Sequence, residues 1–345
     1  MDAGSDGPGG SPAGVDSQPL AARVFACLAD GRFHSGEALA GELGVSRSAV
    51  WKAVRALRGL GVTLHAVRNR GYRLRAGGEA LDAERIREGL PPSVRHSVRA
   101  LETAWTVEST NSVLLARPNP PFGACEVFLA EYQSAGRGRR GRAWLAPPGG
   151  AICLSLGWSF REVPRDLGAL GLAIGVCTLR ALRAVGLQAG RLKWPNDILV
   201  EGRKLGGILI ELRAESAGPA CVVIGIGVNV ALGEALLAQI AQTGVPATDL
   251  VSSGLPQPRR NALAAALIGE VTEGLRRFES EAMRPFLEEW RAADALHGLQ
   301  IQVHTVSGRV SGWAKGIDLH GALMVETPQG IQRFVSGEVT VRLAQ

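Results

Sequence analysis

Residues Gly136 to Arg142 contain four arginines and three glycines, a composition suited to binding an anion. Arginine supplies a permanently charged, forked donor, and glycine lets the backbone approach a ligand closely. The glycines also satisfy the dinucleotide-binding pattern G-x-G-x-x-G, which requires a helix to start at the loop. Residues Ala143 to Gly150 include two prolines and two glycines and are a poor helix start. We therefore predict a mobile cationic loop that closes on a phosphate or carboxylate.

A second group of charges lies further along the chain. Lys193 and Lys204 flank the pair Asn196-Asp197, and Lys204 leads into Gly206-Gly207, where a ligand could lie against the backbone. An aspartate beside two lysines is also the composition of a structural ion pair, so the residues alone leave both interpretations open. Together with the arginine–glycine loop, these charges favour activation of an acid by charge stabilisation.

The histidines and cysteines argue against other kinds of enzyme. No histidine lies between His96 and His297, so the central region has no imidazole to act as base, nucleophile or metal ligand. The five cysteines are scattered and form no C-x-x-C pair. We interpret them as buried free thiols in a reducing cytoplasm, and we predict neither a disulfide framework nor a metal site made by the protein.

The elements that would carry these charges alternate between strands and helices. Apolar runs predict strands at Val98–Val107, 126–130, 151–158 and 221–227, with long helices near 167–185 and 260–279. Ser109, Thr110 and Asn111 fall between the first of these strands and a short predicted helix, where a hydroxyl could simply cap the helix. No apolar run approaches the roughly 20 residues that span a bilayer, and residues 1–18 resemble a disordered tail.

The net charge of +6 is concentrated near the N-terminus, where residues 20–78 hold ten basic and three acidic residues. Helical periodicity, Gly44 and the capping residue Ser46 predict a helix-turn-helix, and a hairpin with Arg68 and Arg70 at its tip predicts a wing. The exposed face of the third helix is basic, which favours DNA binding over a helical interaction module. The residues predicted to contact DNA are Arg47, Ser48, Trp51, Lys52, Arg55, Arg68 and Arg70.

The chain closely resembles the bifunctional bacterial biotin protein ligases that also repress the biotin operon. The motifs that carry the resemblance are Ser109-Thr110-Asn111, Glu131-Tyr132-Gln133, the loop 136–142, Lys193-Trp194-Pro195-Asn196-Asp197, Lys204 to Leu209, Gly225 to Asn229 and Gly337-Glu338. The resemblance implies an α+β multidomain protein: a winged helix-turn-helix at 19–78, a mixed α/β ligase domain of the class II synthetase type at 79–297, and a small SH3-like β-barrel at 298–345.

The resemblance also implies a reaction and its site residues. Biotin and ATP, with Mg²⁺, would give biotinyl-5′-AMP, from which biotin passes to a lysine of a carboxylase carrier domain. The implied catalytic residues are Lys204, Arg139, Asp197 and Lys193. The implied biotin contacts are Ser109, Thr110, Asn111, Gln133, Arg137, Gly138, Arg139 and Lys204. The implied ATP or adenylate contacts are Arg142, Trp144, Lys193, Asn196 and Asn229.

The resemblance further implies a cytoplasmic protein that binds operator DNA and forms a homodimer with biotinyl-5′-AMP bound, without a membrane partner. Two other functions remain open from the sequence. The first is a transcription factor whose ligase-like domain only senses biotin, which would have no need of the loop, Lys193, Asp197 and Lys204 together. The second is a ligase for another acid such as lipoate. The arginine-rich loop and the C-terminal barrel favour biotin over this alternative.

Overall fold

The computed structural model describes residues 18–75, 79–213, 220–242, 246–305, 308–335 and 340–343. The predicted tail lies outside the described residues except for Gln18, and Gly337-Glu338 lies wholly outside them. The described chain builds a winged helix, a mixed α/β unit and a small antiparallel β unit, in that order. The predicted α+β fold class is confirmed.

The N-terminal unit consists of three helices and a two-stranded wing. Its elements are α1 (Leu20–Leu28), α2 (Gly36–Leu43), α3 (Arg47–Gly59), β1 (Leu64–Val67) and β2 (Gly71–Leu74). Ser35 and Ser46 cap α2 and α3, because each hydroxyl accepts a hydrogen bond from the N–H three residues later, at 3.0 and 3.2 Å. Gly44 ends α2 at φ +65°, the left-handed conformation that glycine adopts without strain. The predicted helix-turn-helix and wing are both present.

A seven-stranded mixed sheet in the order β3-β4-β5-β9-β8-β7-β6 forms the central unit. Its strands are β3 (Val98–Val107), β4 (Cys125–Gln133), β5 (Ala151–Ser159), β6 (Arg191–Lys193), β7 (Asp197–Val200), β8 (Arg203–Arg213) and β9 (Cys221–Asn229). Its helices are α4 (Ala83–Glu88), α5 (Pro92–Arg95), α6 (Thr110–Leu115), α7 (Leu170–Ala184), α8 (Glu234–Ala241), α9 (Arg260–Glu281) and α10 (Leu287–Ala293). Strands β3 and β4 are parallel, and the other neighbours in this sheet are antiparallel.

Helices α7 and α9 pack against each other and against the sheet, which gives the central unit its core. Leu192 and Ile208 point toward Gly175 of α7, so this face of β6 and β8 is the apolar one. In the part of the chain that the structure describes, one helical stretch, Leu167–Ala184, is long and apolar enough to cross a membrane. Because 67% of it is buried inside the protein, we interpret it as a core helix.

A buried ion pair inside the central unit lies beside the contact between this unit and the winged helix. Arg260, fully buried at the start of α9, lies 2.8 Å from Glu131 Oε2. Glu131 also accepts hydrogen bonds from the backbone N–H groups of Leu81 (2.6 Å) and Gly149 (3.2 Å). Gly149 has φ +76°, and the ring of Phe25 from α1 lies 2.7 Å from the position that a Cβ would take. The winged helix therefore contacts the segment that leaves the arginine–glycine loop.

The C-terminal unit is a five-stranded antiparallel sheet in the order β13-β12-β11-β10-β14. Its strands are β10 (Gln300–Thr305), β11 (Gly308–Ile317), β12 (Leu323–Thr327), β13 (Gly330–Phe334) and β14 (Thr340–Leu343). Alternate residues of β11 and β12, among them Ala314, Leu323 and Val325, are buried. This alternation is what the period of two along a strand requires when one face is packed and the other is exposed.

Candidate active site

One row of paired residues crosses the sheet on the face away from α7. The strand register places Lys193, Asp197, Gly207, Gly227 and Cys153 opposite one another on β6, β7, β8, β9 and β5. Directly paired residues of antiparallel strands project to the same face. The row therefore puts a cation and a carboxylate beside two positions that have no side chain.

Three glycines of this face leave room for the side chains above them. A Cβ on Gly227 would lie 2.6 Å from the indole of Trp144, and a Cβ on Gly225 would lie 2.4 Å from Asn111 Oδ1. A Cβ on Gly207 would lie 3.3 Å from Lys204 Nζ. Any larger residue at 225 or 227 would displace a predicted site residue, so these glycines form the floor of the site.

Lys204 and Asp197 form an ion pair at this floor, with Nζ 2.6 Å from Oδ1 and each side chain about one quarter exposed. The backbone of Lys204 is held on both sides, because its N–H donates to Pro246 O (2.8 Å) and its C=O accepts from Thr248 N (2.9 Å). An ammonium group has three N–H donors, so one contact with Asp197 leaves donors for a ligand. The ion pair that the sequence left open therefore exists, and it lies inside the site.

The arginine–glycine loop folds back on itself as a hairpin. Gly138 N–H donates to Arg142 O at 2.7 Å, and Trp144 N–H donates to Gly136 O at 2.8 Å. Arg140 (φ +57°) and Gly141 (φ +72°) form its turn. The residues from Arg142 to Gly150 are non-helical, which agrees with rejecting the dinucleotide-binding pattern.

Arg139 extends from this hairpin to the strand row. Its Nη1 donates to Asn196 Oδ1 at 3.3 Å, and the Asn196 amide donates in turn to Ile208 O at 2.8 Å. Burial lowers the pKa of Arg139, and the neighbouring charge of Arg140 lowers it further. A guanidinium nevertheless stays charged at neutral pH. Arg139 is therefore a partly desolvated cation, and an anionic ligand would stabilise it.

The opposite end of the site is a network of neutral hydrogen-bonding groups. Gln133 Oε1 accepts from Thr110 N (2.8 Å) and Thr110 Oγ1 (3.2 Å). The Ser155 hydroxyl lies 2.7 Å from Thr110 Oγ1 and 2.5 Å from Asn111 Oδ1. Ser109 occupies the N-cap position of α6, but its side chain makes no capping hydrogen bond. Helix capping therefore does not explain the presence of Ser109. The hydrogen-bonding groups at this end of the site suit an uncharged polar group of a ligand.

Two residues of this network were missed in the sequence. Glu211 accepts hydrogen bonds from Asn111 Nδ2 (2.7 Å) and Arg137 Nη2 (3.1 Å), so it joins the loop to the polar end. Ser155 is fully buried in β5. The available signal was a hydroxyl in the middle of an apolar strand, because a buried hydroxyl needs a hydrogen-bond partner.

The remaining predicted site residues differ in their contacts. Asn229 is buried, and its amide donates to Thr248 O at 2.9 Å and Lys204 O at 3.4 Å. Through these hydrogen bonds, Asn229 helps to hold the backbone of β8 at Lys204 in place. Lys193 belongs to the row by its pairing with Asp197. Arg142 is exposed beside the loop hairpin.

Among the described residues, this face presents neither a nucleophilic thiol nor a cluster of metal ligands. Burial raises the pKa of Cys153 to about 12, so the thiol stays protonated beneath Gln133 and Trp144. No group of three or more histidine, cysteine, aspartate or glutamate side chains with metal-binding geometry occurs among the described residues. The chemistry that this face supports is charge stabilisation by lysine and arginine.

The residues predicted to contact DNA are all exposed on α3 and at the wing tip. Trp51 is 53% exposed, and the Arg55 guanidinium lies 5.7 Å from its ring centroid. Arg70 lies 4.4 Å from the centroid of the Phe33 ring. These contacts hold one cation of α3 and one cation of the wing beside aromatic rings.

Three family models match the chain in the order of its structural units. A helix-turn-helix domain matches residues 22–73, the biotin/lipoate A/B protein ligase family matches 106–229, and a biotin protein ligase C-terminal domain matches 297–342. The bifunctional ligase/repressor BirA of Escherichia coli is 36% identical, covering 94% of this chain and 97% of that protein. The same-named protein of Bacillus subtilis is 31% identical, covering 90% and 94%.

A solved structure supports the same relationship. The biotin protein ligase from Aquifex aeolicus in complex with biotin and ATP has a TM-score of 0.61 and 25% identity, covering 71% of this chain and 100% of that one. The sheet, its cationic face and the small β unit thus define a ligase of the biotin/lipoate class, here joined to a helix-turn-helix module. The chain belongs to the family of bifunctional biotin ligase/repressor proteins.

Proposed function

We propose that the protein is an ATP-dependent biotin protein ligase that also binds operator DNA as a biotin-responsive repressor. It makes biotinyl-5′-AMP and then transfers biotin to a lysine of a carboxylase carrier domain. The observation that carries the proposal is the row Lys193–Asp197–Gly207–Gly227, with the Lys204 ammonium over Gly207 and Arg139 reaching Asn196 from the loop. The row supplies cations where a carboxylate would meet a triphosphate.

Biotin takes the neutral end of the site. Thr110, Asn111 and Gln133, with Ser109 beside them, hold its uncharged polar ring, and its carboxylate extends toward Lys204. Arg137 and Gly138 cover it from the loop. The hydrogen bonds from Asn111 and Arg137 to Glu211 support this placement, since they connect the loop to that end.

ATP takes the charged end, where Lys193, Asn196, Arg142 and Trp144 contact the nucleotide and Asn229 braces the strand of Lys204. A carboxylate oxygen of biotin attacks the α-phosphorus, and pyrophosphate leaves. Lys204 and Arg139 stabilise the negative charge that accumulates on the reacting oxygens. Closure of the loop excludes water, which would otherwise hydrolyse the acyl-adenylate.

Mg²⁺ would enter this site with ATP. Magnesium is commonly bound by one or two carboxylates and by substrate phosphates. Asp197 supplies a carboxylate within the row, and the ion would offset phosphate charge. In the transfer step the carrier lysine attacks the acyl carbonyl and AMP leaves, with Asp197 near the incoming amine.

The second role rests on the winged helix. Helix α3 enters the major groove, and the wing arginines contact phosphate. Binding of biotinyl-5′-AMP favours a homodimer, which engages a two-fold operator. The protein acts in the cytoplasm, where the carboxylase carrier domain and the operator are both accessible.

The decisive experiment is incubation with biotin, Mg²⁺, α-labelled ATP and a carrier domain. We expect labelled biotinyl-AMP without the carrier, and biotinylated carrier when it is added. Failure to form adenylate would disprove the ligase and leave a biotin-sensing transcription factor. Replacing biotin with lipoate is the second arm, because the matched family includes both activities. A lipoyl product at the higher rate would reassign the substrate.

A further inference from the structure

The active-site strands receive support from an element outside their own domain. Trp194 lies between β6 and β7, directly after Lys193, and is 1% exposed. Its indole Nε1–H donates to the carbonyl oxygen of Gly321 at 3.0 Å. Gly321 belongs to the turn between β11 and β12 of the C-terminal unit. Trp194, which is adjacent to the row at Lys193, is therefore hydrogen-bonded to the C-terminal β unit.

The turn that holds Trp194 is tightly defined. Asp318 Oδ1 accepts hydrogen bonds from the backbone N–H groups of His320 and Ala322, both at 2.9 Å. The His320 ring lies 2.8 Å from Asp166, at the approach to α7. Both ends of the contact are thus fixed: the turn by its own hydrogen bonds, and its position by the central unit.

Gly321 itself has no room for a side chain. It has φ +78°, and a Cβ would lie 2.7 Å from Ala169 Cβ and 2.9 Å from Leu172 Cδ1. The turn is pressed against the start of α7 on one side and hydrogen-bonds Trp194 on the other. A side chain at position 321 would displace this turn, and the displacement would reach Trp194 through the hydrogen bond to the Gly321 carbonyl.

We infer that Trp194 is a positioning residue, through which the C-terminal β unit fixes the strand–turn–strand that carries Lys193, Asn196 and Asp197. The inference rests on the proposed function of that row. Trp194 acts through its neighbours: its hydrogen bond to Gly321 sets the position of β6 and β7 relative to Lys204 on β8. Catalysis by charge stabilisation is sensitive to such positions, since misplacement of about 1 Å can cost two orders of magnitude in rate.

The test uses the full chain and compares two buried tryptophans. Trp194→Phe removes the donor and keeps an aromatic ring. Trp158→Phe is the matched control, because Trp158 is also fully buried and its Nε1 has no hydrogen-bond partner among the described residues. We expect Trp194→Phe to lower kcat of biotin-dependent pyrophosphate exchange by about 3- to 10-fold, the value of one hydrogen bond. The Kd for biotin should change much less than kcat, because the polar residues proposed to hold the biotin ring lie on α6 and β4, away from β6 and β7.

A second pair of variants tests the contact from the other side. Gly321→Ala should displace the turn and give the same loss of kcat, with a much smaller change in the Kd for biotin. Gly330→Ala is its control, since Gly330, at the start of β13, also has positive φ (+108°) but has open space around its Cβ position. This pair remains informative if Trp194→Phe does not fold.

The outcomes separate the two claims. If the wild-type chain forms adenylate and both Trp194→Phe and Gly321→Ala match their controls in kcat, the positioning role is wrong and the proposed function stands. If kcat and biotin affinity fall together with the melting temperature, Trp194 only stabilises the fold and the inference is also overturned. If the wild-type chain forms no adenylate, the proposed function is wrong, and the inference that rests on it is also wrong.

Discussion

The protein holds two groups of arginines whose neighbours differ. In the arginine–glycine loop, Arg137 is paired with Glu211 and Arg139 donates to Asn196, so their guanidinium groups are already directed by neighbours. On α3, Arg47 and Arg55 are exposed, and the helix from 47 to 59 contains no acidic residue. One set of cations is folded over a sheet, and the other is displayed along a helix.

The difference shows how the same side chain can serve two kinds of anion. Arg139 and Lys204, partly buried above a glycine floor, suit one small, enclosed anion, because a low dielectric strengthens each contact. Exposed cations spaced along a helix suit a polyanion, whose binding releases counterions and depends strongly on salt. The two regions should therefore respond differently to substitution and to ionic strength.

The largest effect should come from Lys204→Ala. We expect adenylate formation to fall by about 100- to 1000-fold, since a preorganised donor to developing charge is typically worth that much. Pyrophosphate exchange measures the loss, and thermal melting tests whether the variant stays folded. Lys52→Ala, on the DNA-facing helix, is the control and should retain full exchange. A folded Lys204→Ala protein with normal exchange would remove Lys204 from the mechanism.

Arg139→Ala should have the next largest effect, about 10- to 100-fold on the same exchange rate, because a charge-assisted contact with a ligand is lost in a partly desolvated site. Its neighbour supplies the comparison. Arg140→Asn removes a charge from the same turn, and asparagine accepts the positive φ of that position. Equal losses in the two variants would mean that general loop charge matters and the contact of Arg139 with Asn196 does not.

Much of this arrangement was predictable because it depends on local chemistry. The caps at Ser35 and Ser46, the strand Val98–Val107 and the absence of a helix after the loop follow from residue types over a few positions. The grouping of Lys193, Asp197 and Lys204 was also accessible, since short strands joined by tight turns bring their ends together.

The rest depends on contacts between residues that are distant in the chain. Nothing local to Gly321 indicates that its carbonyl accepts from Trp194, 127 positions earlier. Likewise Glu131 belongs to a motif that carries the family resemblance, but its ion pair with Arg260 forms only because α9 packs against β4 and β5. Glycines 225 and 227 resemble ordinary strand residues until Asn111 and Trp144 are seen above them.

Biotin and ATP should slow tryptic cleavage of the arginine–glycine loop, and we expect this effect to be moderate. Its four arginines are sites for trypsin, and we expect cleavage there to slow severalfold when biotin and ATP are present, because ligand contacts order the hairpin. Cleavage at Arg165, exposed on the central unit, serves as the internal reference. Loop cleavage at the same rate with and without ligand would show that the hairpin does not close on the substrates, and the contrast with the open helix α3 would weaken.

The smallest effect belongs to single arginines of the DNA-facing helix. Arg55→Ala should weaken operator binding modestly and lower the slope of log Kd against log salt by about 0.9, the contribution of one phosphate contact. Arg165→Ala changes the net charge equally without touching α3 and should leave the slope unaltered. Arg139→Ala should also leave it unaltered in the absence of biotin and ATP, because that cation is committed to the ligase site. A salt slope that fell equally in all three variants would mean that total charge governs DNA binding, and the division of the arginines into two separate binding regions would fail.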